Sequence, residues 1–474
     1  MSILTGARAV ASDFINKLQA NVSPAADAGR VPKLEADGKL DPFFMRETSV
    51  FEDTTAIALT AGDPVGMNLE GKVAKAFRSW VAATGAQPSS FRLLEVDTNK
   101  FVVGWVTVPA LYTVNMAVGT YDPATDTVSF GSAATNSLNF TSFDFCKVDT
   151  NKFVLMHSTD GTSDAFMCVG TVSGTSISFS GSTNFSAGSY NNFSCVQLDT
   201  NRFAFHCAVG SGTGNFQGVA TVSGTTISML YTSTTVIANI NTSNVTQIYR
   251  LGKLSSTKHV IVNGNNGYCV VIDSTSAYTA GTAFQPQGAT TPTLEKTAIV
   301  SDSATSFYVR VGGAMRRCTV SGSTITNNGN GVTISNDGGG DLCIYGGEIF
   351  EVHYNSTTAA LTGIYKITHS TNLIRTQLCT LAMTGAAYIA NIGSVFLAYQ
   401  GSSSFFSSAM AANFVGFVKT TYAQGVTAIV YPFGRVTGLS NLLQGVRYSA
   451  SNGAYVPDMA GNFIAISATE LIIR

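Results

Sequence analysis

Short apolar runs, each entered from a polar turn, recur along the middle of this 474-residue chain. The heptad VDTNKFV stands at residues 96–102 and again at 148–154, and LDTNRFA follows at 198–204. The anchor acids Asp97, Asp149 and Asp199 are therefore 52 and 50 residues apart. A second phrase keeps the same step: GTVSGTSIS from Gly170, ATVSGTTIS from Ala220 and, later, CTVSGSTIT from Cys318. β-Branched residues flanking Ser-Gly read as strand, tight turn, strand, with glycine supplying the positive φ of a hairpin. DTNKF has the same grammar: Asp hydrogen-bonds the backbone ahead, Asn tolerates the left-handed region, and Phe opens the next strand. The three acids are accordingly read as turn residues and not as catalytic acids.

Beyond residue 250 the wording decays but the rhythm persists. KLSSTKHVIV near His259, DSATSFYVRV near Phe307, YGGEIFEV near Ile349 and NIGSVFLAY near Val395 each place a polar turn before an apolar strand. Seven units of about 42 to 57 residues with several short strands apiece predict an all-β chain with a β-propeller of about seven blades over residues 84–410. Ankyrin and TPR repeats are shorter and would need a helical period that is absent. A ring of blades has to close on itself. The last unit, near residues 388–410, is short of strands, and VAKAFRSWVAA at 73–83 alternates like an extra one, so the N-terminal piece is expected to latch the final blade.

The flanks divide into a helix at 1–22, a linker with a small hairpin at 23–58, and two halves of a small split β domain at 59–83 and 411–474. In the first, Ile3, Ala7, Val10, Phe14 and Leu18 form one apolar stripe at steps of three and four. Pro24, Pro32 and Pro42 set that helix apart from the rest, which favours an assembly helix that bundles with copies or docks into a socket over one packed on its own chain. The phrases AGDPV…N…GKV at 61–73, GRVTGLSNLLQGVRYS at 434–449 and AISATELIIR at 465–474 resemble a β domain of tailed-bacteriophage fibre proteins. DAGRVPKLEADGKLDPFFM at 27–45 is similar to a short element that precedes the distal domain of such fibres. In that family the two halves sit close together; here the propeller is inserted between them. The resemblance implies a virion structural protein of tail-fibre or head-fibre type, made in a bacterial cytoplasm, partnered by other virion proteins, associated as a homotrimer, and touching a host-surface glycan or decorating the particle.

Composition narrows the chemistry further. Charged residues are 12% of the chain and the formal charge is −1, which gives no electrostatic reason to expect nucleic acid. No apolar run approaches the roughly 20 residues of a membrane span, so membrane insertion is not expected. The eight cysteines are scattered singly, the pattern of buried thiols and not of a zinc site or disulfide framework. His157, His206 and His353 follow their anchor Phe by four, three and three residues and could converge on the axis to bind a metal or an anion; duplicated strand histidines acting as filler are the favoured alternative. No cofactor and no metal is expected.

A glycosidase needs two carboxylates held across the scissile bond. Most acids here sit in turns; Asp144, Glu348 and Glu351 lie nearer strands but show no paired spacing. A non-enzymatic binding module is therefore expected, with a propeller-based glycan depolymerase using Glu348 or Glu351 as the alternative. Tyr112, Tyr190, Asn191, Phe405 and Phe406 read as loop aromatics and an amide suited to stacking on sugar.

Overall fold

The structure is a computed structural model. It describes, apart from single positions, residues 91–107, 113–123, 127–139, 143–158, 164–186, 190–209, 215–234, 249–286, 297–334, 339–355, 361–380 and 387–400, together with short strand backbones in the flanks and at 404–407. Among the described residues the regular elements are all strands, and no helix is long and apolar enough to cross a membrane. The stripe Ile3, Ala7, Val10, Phe14 and Leu18 lies outside the described residues.

Antiparallel sheets follow one another along the chain, with first strands Phe91–Asp97, Phe143–Asp149, Tyr190–Asp199, Tyr249–Lys253, Thr297–Ser303 and Gly340–Tyr345. Each first strand touches the next, and Ala387–Asn391 of the last sheet touches Phe91–Asp97 of the first, so the sheets form a closed ring around an axis. This is a β-propeller. Where the sequence rhythm predicts about seven blades, six are continuous in sequence. The last segment provides only Ala387–Asn391, Phe396–Gln400 and Ser404–Ser407, and its fourth strand comes from Trp80–Val81, which pairs with Ser404–Ser407. The remainder of the segment expected to latch the ring goes elsewhere: Val73–Lys75 pairs with Pro64–Met67.

Each blade buries both faces. On the first strand of blade 2, Phe143 and Phe145 pack toward blade 1 with Val96 and Val102, whereas Cys146 and Val148 pack toward blade 3 with Phe193 and Phe203. That strict alternation is why strands flanked by neighbours on both sides read as near-continuous apolar runs. The seven cysteines whose side chains are described are buried and unbridged.

The repeated DTN phrase joins the blades. Asn99, Asn151 and Asn201 have φ of 58°, 55° and 57°, and the N–H groups of Thr98, Thr150 and Thr200 donate to Asp97, Asp149 and Asp199 at 2.8–2.9 Å. The left-handed turn aims each Asn N–H backwards across a blade boundary. Asn151 donates to the Val96 carbonyl, Asn201 to Val148, and Asn99 to Ile392 of the last sheet. The carbonyls of the same three Asn accept from Tyr121, Val172 and Val222, all at 2.8 Å, on the third strand of their own blades. In blades 4 and 5 the wording is lost, yet Ser274 and Val320 donate to Thr257 and Thr305 at 2.8 Å in the same way. The hairpin glycines Gly174, Gly224 and Gly322 adopt φ near 60° as their phrases predict.

Asn151 also donates from Nδ2 to Asp97 Oδ2 at 3.1 Å. Asn151→Ala is expected to destabilise the protein by about 1–2 kcal/mol, the cost of a Cβ residue without a local polar side chain in this region, while Asn151→Gly stays closer to the parent. Urea titration measures both; an alanine variant as stable as the parent would contradict the stapling role.

Outside the ring, Phe51–Thr54, Thr427–Tyr431, Gly416–Val418, Pro64–Met67 and Val73–Lys75 form one five-stranded sheet in that spatial order. Chain from before and after the propeller thus shares a sheet. A second sheet is C-terminal throughout: Gly434–Val436, Glu470–Ile473, Phe463–Ser467, Arg447–Ser451 and Ala454–Pro457.

Candidate functional site

One position recurs near the start of every first strand. Where the opening residue of the second strand's apolar run (Phe101, Phe153, Phe203, His259, Phe307, Ile349, Phe396) pairs across to the first strand, the residue three earlier is Arg92, Asp144, Ser194, Arg250, Ala298, Asp341 and Tyr388. These residues share one register of the innermost strands and so ring the axis. Each lies on the face turned toward the following blade. In the three DTN blades the position falls five residues before the anchor Asp, an offset visible in the sequence, but nothing in the residue types marks it, because no two adjacent blades carry the same chemistry.

The ring holds four charges. Arg92 Nε donates to Asp144 Oδ1 at 3.3 Å, with side chains 14% and 10% exposed. The Arg92 guanidinium also lies 5.5 Å from the centre of the Tyr388 ring. Burial works against the Arg92 charge, but Tyr388, Asp144 and Asp341 together outweigh it and hold the guanidinium above its ordinary range. Asp144 Oδ2 accepts from Cys195 N at 3.0 Å, and Asp341 accepts from Leu342 N at 2.9 Å and Ile389 N at 3.4 Å. Each aspartate thereby ties its own strand to the next blade. Burial raises the Asp341 carboxyl above the usual carboxylate range, against the opposing pull of Arg250. Arg250 is lowered, first by burial and then by the like charge of Arg92. Among the described residues Arg250 makes no ion pair or hydrogen bond.

A second charged group lies off the axis, between blades 5 and 6. Arg310, fully buried, places Nη1 3.2 Å from Glu351 Oε1, and Nη2 donates to His353 Nδ1 at 3.2 Å. That contact leaves the proton of a neutral imidazole on Nε2. Arg375 Nε donates to Glu351 Oε2 at 2.5 Å while its guanidinium lies 3.2 Å from the Tyr365 ring centre. Gly340 is needed for this approach, because a Cβ there would sit 1.8 Å from Arg310 Nη1. Glu351, with no solvent exposure, is a structural counter-ion and not an accessible acid. Glu348 pairs with Lys366 on the surface of the same blade.

The histidines do not meet on the axis. His157 stacks on Phe166 with ring centres 5.6 Å apart, His206 on Tyr249 at 4.0 Å, and His353 faces Tyr365. Burial pulls His157, His206 and His259 down to about 3, and burial with the Arg310 and Arg375 charges takes His353 to about 2. All four are neutral core residues. Among the described residues no group of three or more His, Cys, Asp or Glu could hold a metal ion.

Of the residues expected to stack on sugar, Tyr190 is buried, 7% exposed, with its hydroxyl 2.7 Å from Ser186 Oγ and its ring against Phe216. It is core, not a binding aromatic. Asn191, Phe405 and Phe406 lie on strands by backbone, with side chains outside the described residues, and Tyr112 lies outside them altogether. The axial ring was not among the sequence candidates except as Asp144.

No known family matches the chain, and no curated protein does. Among solved structures, a streptogramin B lyase is similar over 70% of this chain and 98% of its own at 10% identity, with a TM-score of 0.44. Virginiamycin B lyase from Staphylococcus aureus covers 67% and 99% at 10% identity and 0.40. The SapL1 lectin, solved with alpha methyl fucoside, covers 63% and 98% at 10% identity and 0.39. Likenesses this distant say nothing of substrate or ligand; the propeller stands on its own strand pairing.

Proposed function

We propose that this chain is a non-enzymatic structural protein of a tailed-bacteriophage virion, a fibre or decoration module that holds a β-propeller outward for attachment to a host-surface glycan. The observation that carries the reading is the return of both flanks to one sheet: Pro64–Met67 pairs with Gly416–Val418, and Phe51–Thr54 with Thr427–Tyr431. A closed ring inserted into a small sheet is a displayed unit on a base, and the phrases building that base are the ones that resemble phage fibre proteins. The relocation of Glu351 into a buried ion group supports a binding role further, since it removes an acid that catalysis would have used. Purified virions should contain the protein when digested and analysed by mass spectrometry. Its absence from them would sink the reading.

A glycan depolymerase on the same ring is the second reading, favoured by one observation: Asp341 stands on the axis with its carboxyl raised, as a general acid requires. It predicts reducing ends released from host capsule or lipopolysaccharide and lost in Asp341→Asn. A broad substrate screen with no release removes it.

A further inference from the structure

The axial ring is unevenly paired. Arg92 of blade 1 faces Asp144 of blade 2 in the shared register and bonds to it. Arg250 of blade 4 occupies the same position, but blade 5 answers it with Ala298. A methyl group stands where the other arginine finds its carboxylate. The ring's own acids are already engaged: Asp144 by Arg92 and the Cys195 N–H, Asp341 by the Leu342 and Ile389 N–H groups. Among the described residues the Arg250 guanidinium, half-buried at the axis, makes no side-chain hydrogen bond or close ion pair. Arg92 adds a like charge nearby, while Asp144, Tyr388 and Asp341 draw on the Arg250 charge from beyond contact distance.

We propose that Arg250 is the receptor for a carboxylate carried on a sugar, being the arginine of the ring that the following blade leaves without a contacting acid. A guanidinium offers a planar fork that a carboxylate matches with two parallel bonds, which favours a carboxylate over a neutral hydroxyl. The ligand class is a hexuronate or another acidic monosaccharide unit. The assignment rests on the glycan-attachment reading and names the sugar chemistry it would use.

Calorimetric titration of the full chain with glucuronate, glucose and sulfate tests it. Glucuronate is expected to bind, glucose about tenfold more weakly or not at all, and added salt to weaken glucuronate binding. Ala298→Asp supplies Arg250 with an internal partner as Asp144 does for Arg92. It should abolish glucuronate binding; because Ala298 is buried against Tyr308, Met315 and Leu342, the variant's thermal unfolding is followed alongside to show that it is folded. Arg250→Met should lose binding likewise, and Arg250→Lys, which keeps the charge without the fork, should lie between. Equal affinity in Ala298→Asp, Arg250→Met and the parent overturns the site. Sulfate bound as tightly as glucuronate overturns the sugar assignment. Binding of neutral glycans alone overturns the carboxylate proposal and leaves the attachment reading standing, whereas glucuronate binding by a protein absent from virions supports the site and removes that reading.

Discussion

Glu351→Gln is expected to destabilise the propeller by about 3–5 kcal/mol, a large share of the usual total of about 5–15 kcal/mol. The carboxylate is the shared counter-charge of Arg310 and Arg375 and has no exposure to water. An isosteric amide keeps the shape but leaves two guanidinium groups in a buried site without the carboxylate they share. Solvent cannot reach Arg310 to compensate. The control is Glu348→Gln, three residues away on the same strand: its partner Lys366 and the carboxylate itself are a third to a half exposed, and surface pairs of that kind contribute about 0–1 kcal/mol. Urea midpoints of the two variants measure the contrast. Similar midpoints would mean that Glu351 is not the keystone of the contact between blades 5 and 6.

Acid should unfold the protein through its histidines. His157, His206, His259 and His353 are held neutral in the fold at about 3, 3, 3 and 2, while in the unfolded chain they protonate near their ordinary 6.5. Between those values the unfolded state binds more protons, so stability is full above about pH 6.5 and declines as pH falls toward 3. Each group contributes about 1.4 kcal/mol per pH unit below its unfolded value, so the four together reach roughly 14 kcal/mol by about pH 4. Among the described residues His157 faces Phe166 and Ser182, His206 faces Tyr249 with His259 nearby, and His259 faces Tyr278 with Arg202 nearby, none of these neighbours being a carboxylate. At His353 Glu351 Oε1 lies 3.9 Å away, but Arg310 and Arg375 dominate. Against a usual total of 5–15 kcal/mol, cooperative unfolding is expected by about pH 4. Denaturation midpoints followed from pH 7 to 4 check this; a flat profile would show that the imidazoles find water or a counter-ion.

Local turn chemistry was the legible part of the fold. Asn99, Asn151 and Asn201 announce a left-handed residue because few side chains tolerate one, and Gly174 and Gly224 do the same for hairpins. The strand rhythm followed from these marks. The count of blades was less legible, because the last sheet borrows Trp80–Val81 from far upstream, a pairing that leaves no local trace. Tyr190 was misread as a loop aromatic on account of the Gly-Ser that precedes it; its strand runs on through a bulge at Asn192, whose φ is 52°. Glu351 looked like a free acid, since the two arginines that enclose it come from other strands, one of them in another blade. The axial register was hidden for a different reason. Repeats betray themselves by sameness, and in this column neighbouring blades differ.

The chain enters the ring at Trp80–Val81 and leaves it at Ser404–Ser407, two strands paired side by side, and the flanks meet again at Pro64–Val65 with Phe417–Gly416. Tension applied between the two ends of the chain would therefore be borne by those few flank pairs and would bypass the propeller. A module mounted in this way can be tugged through its base without its ring being stretched.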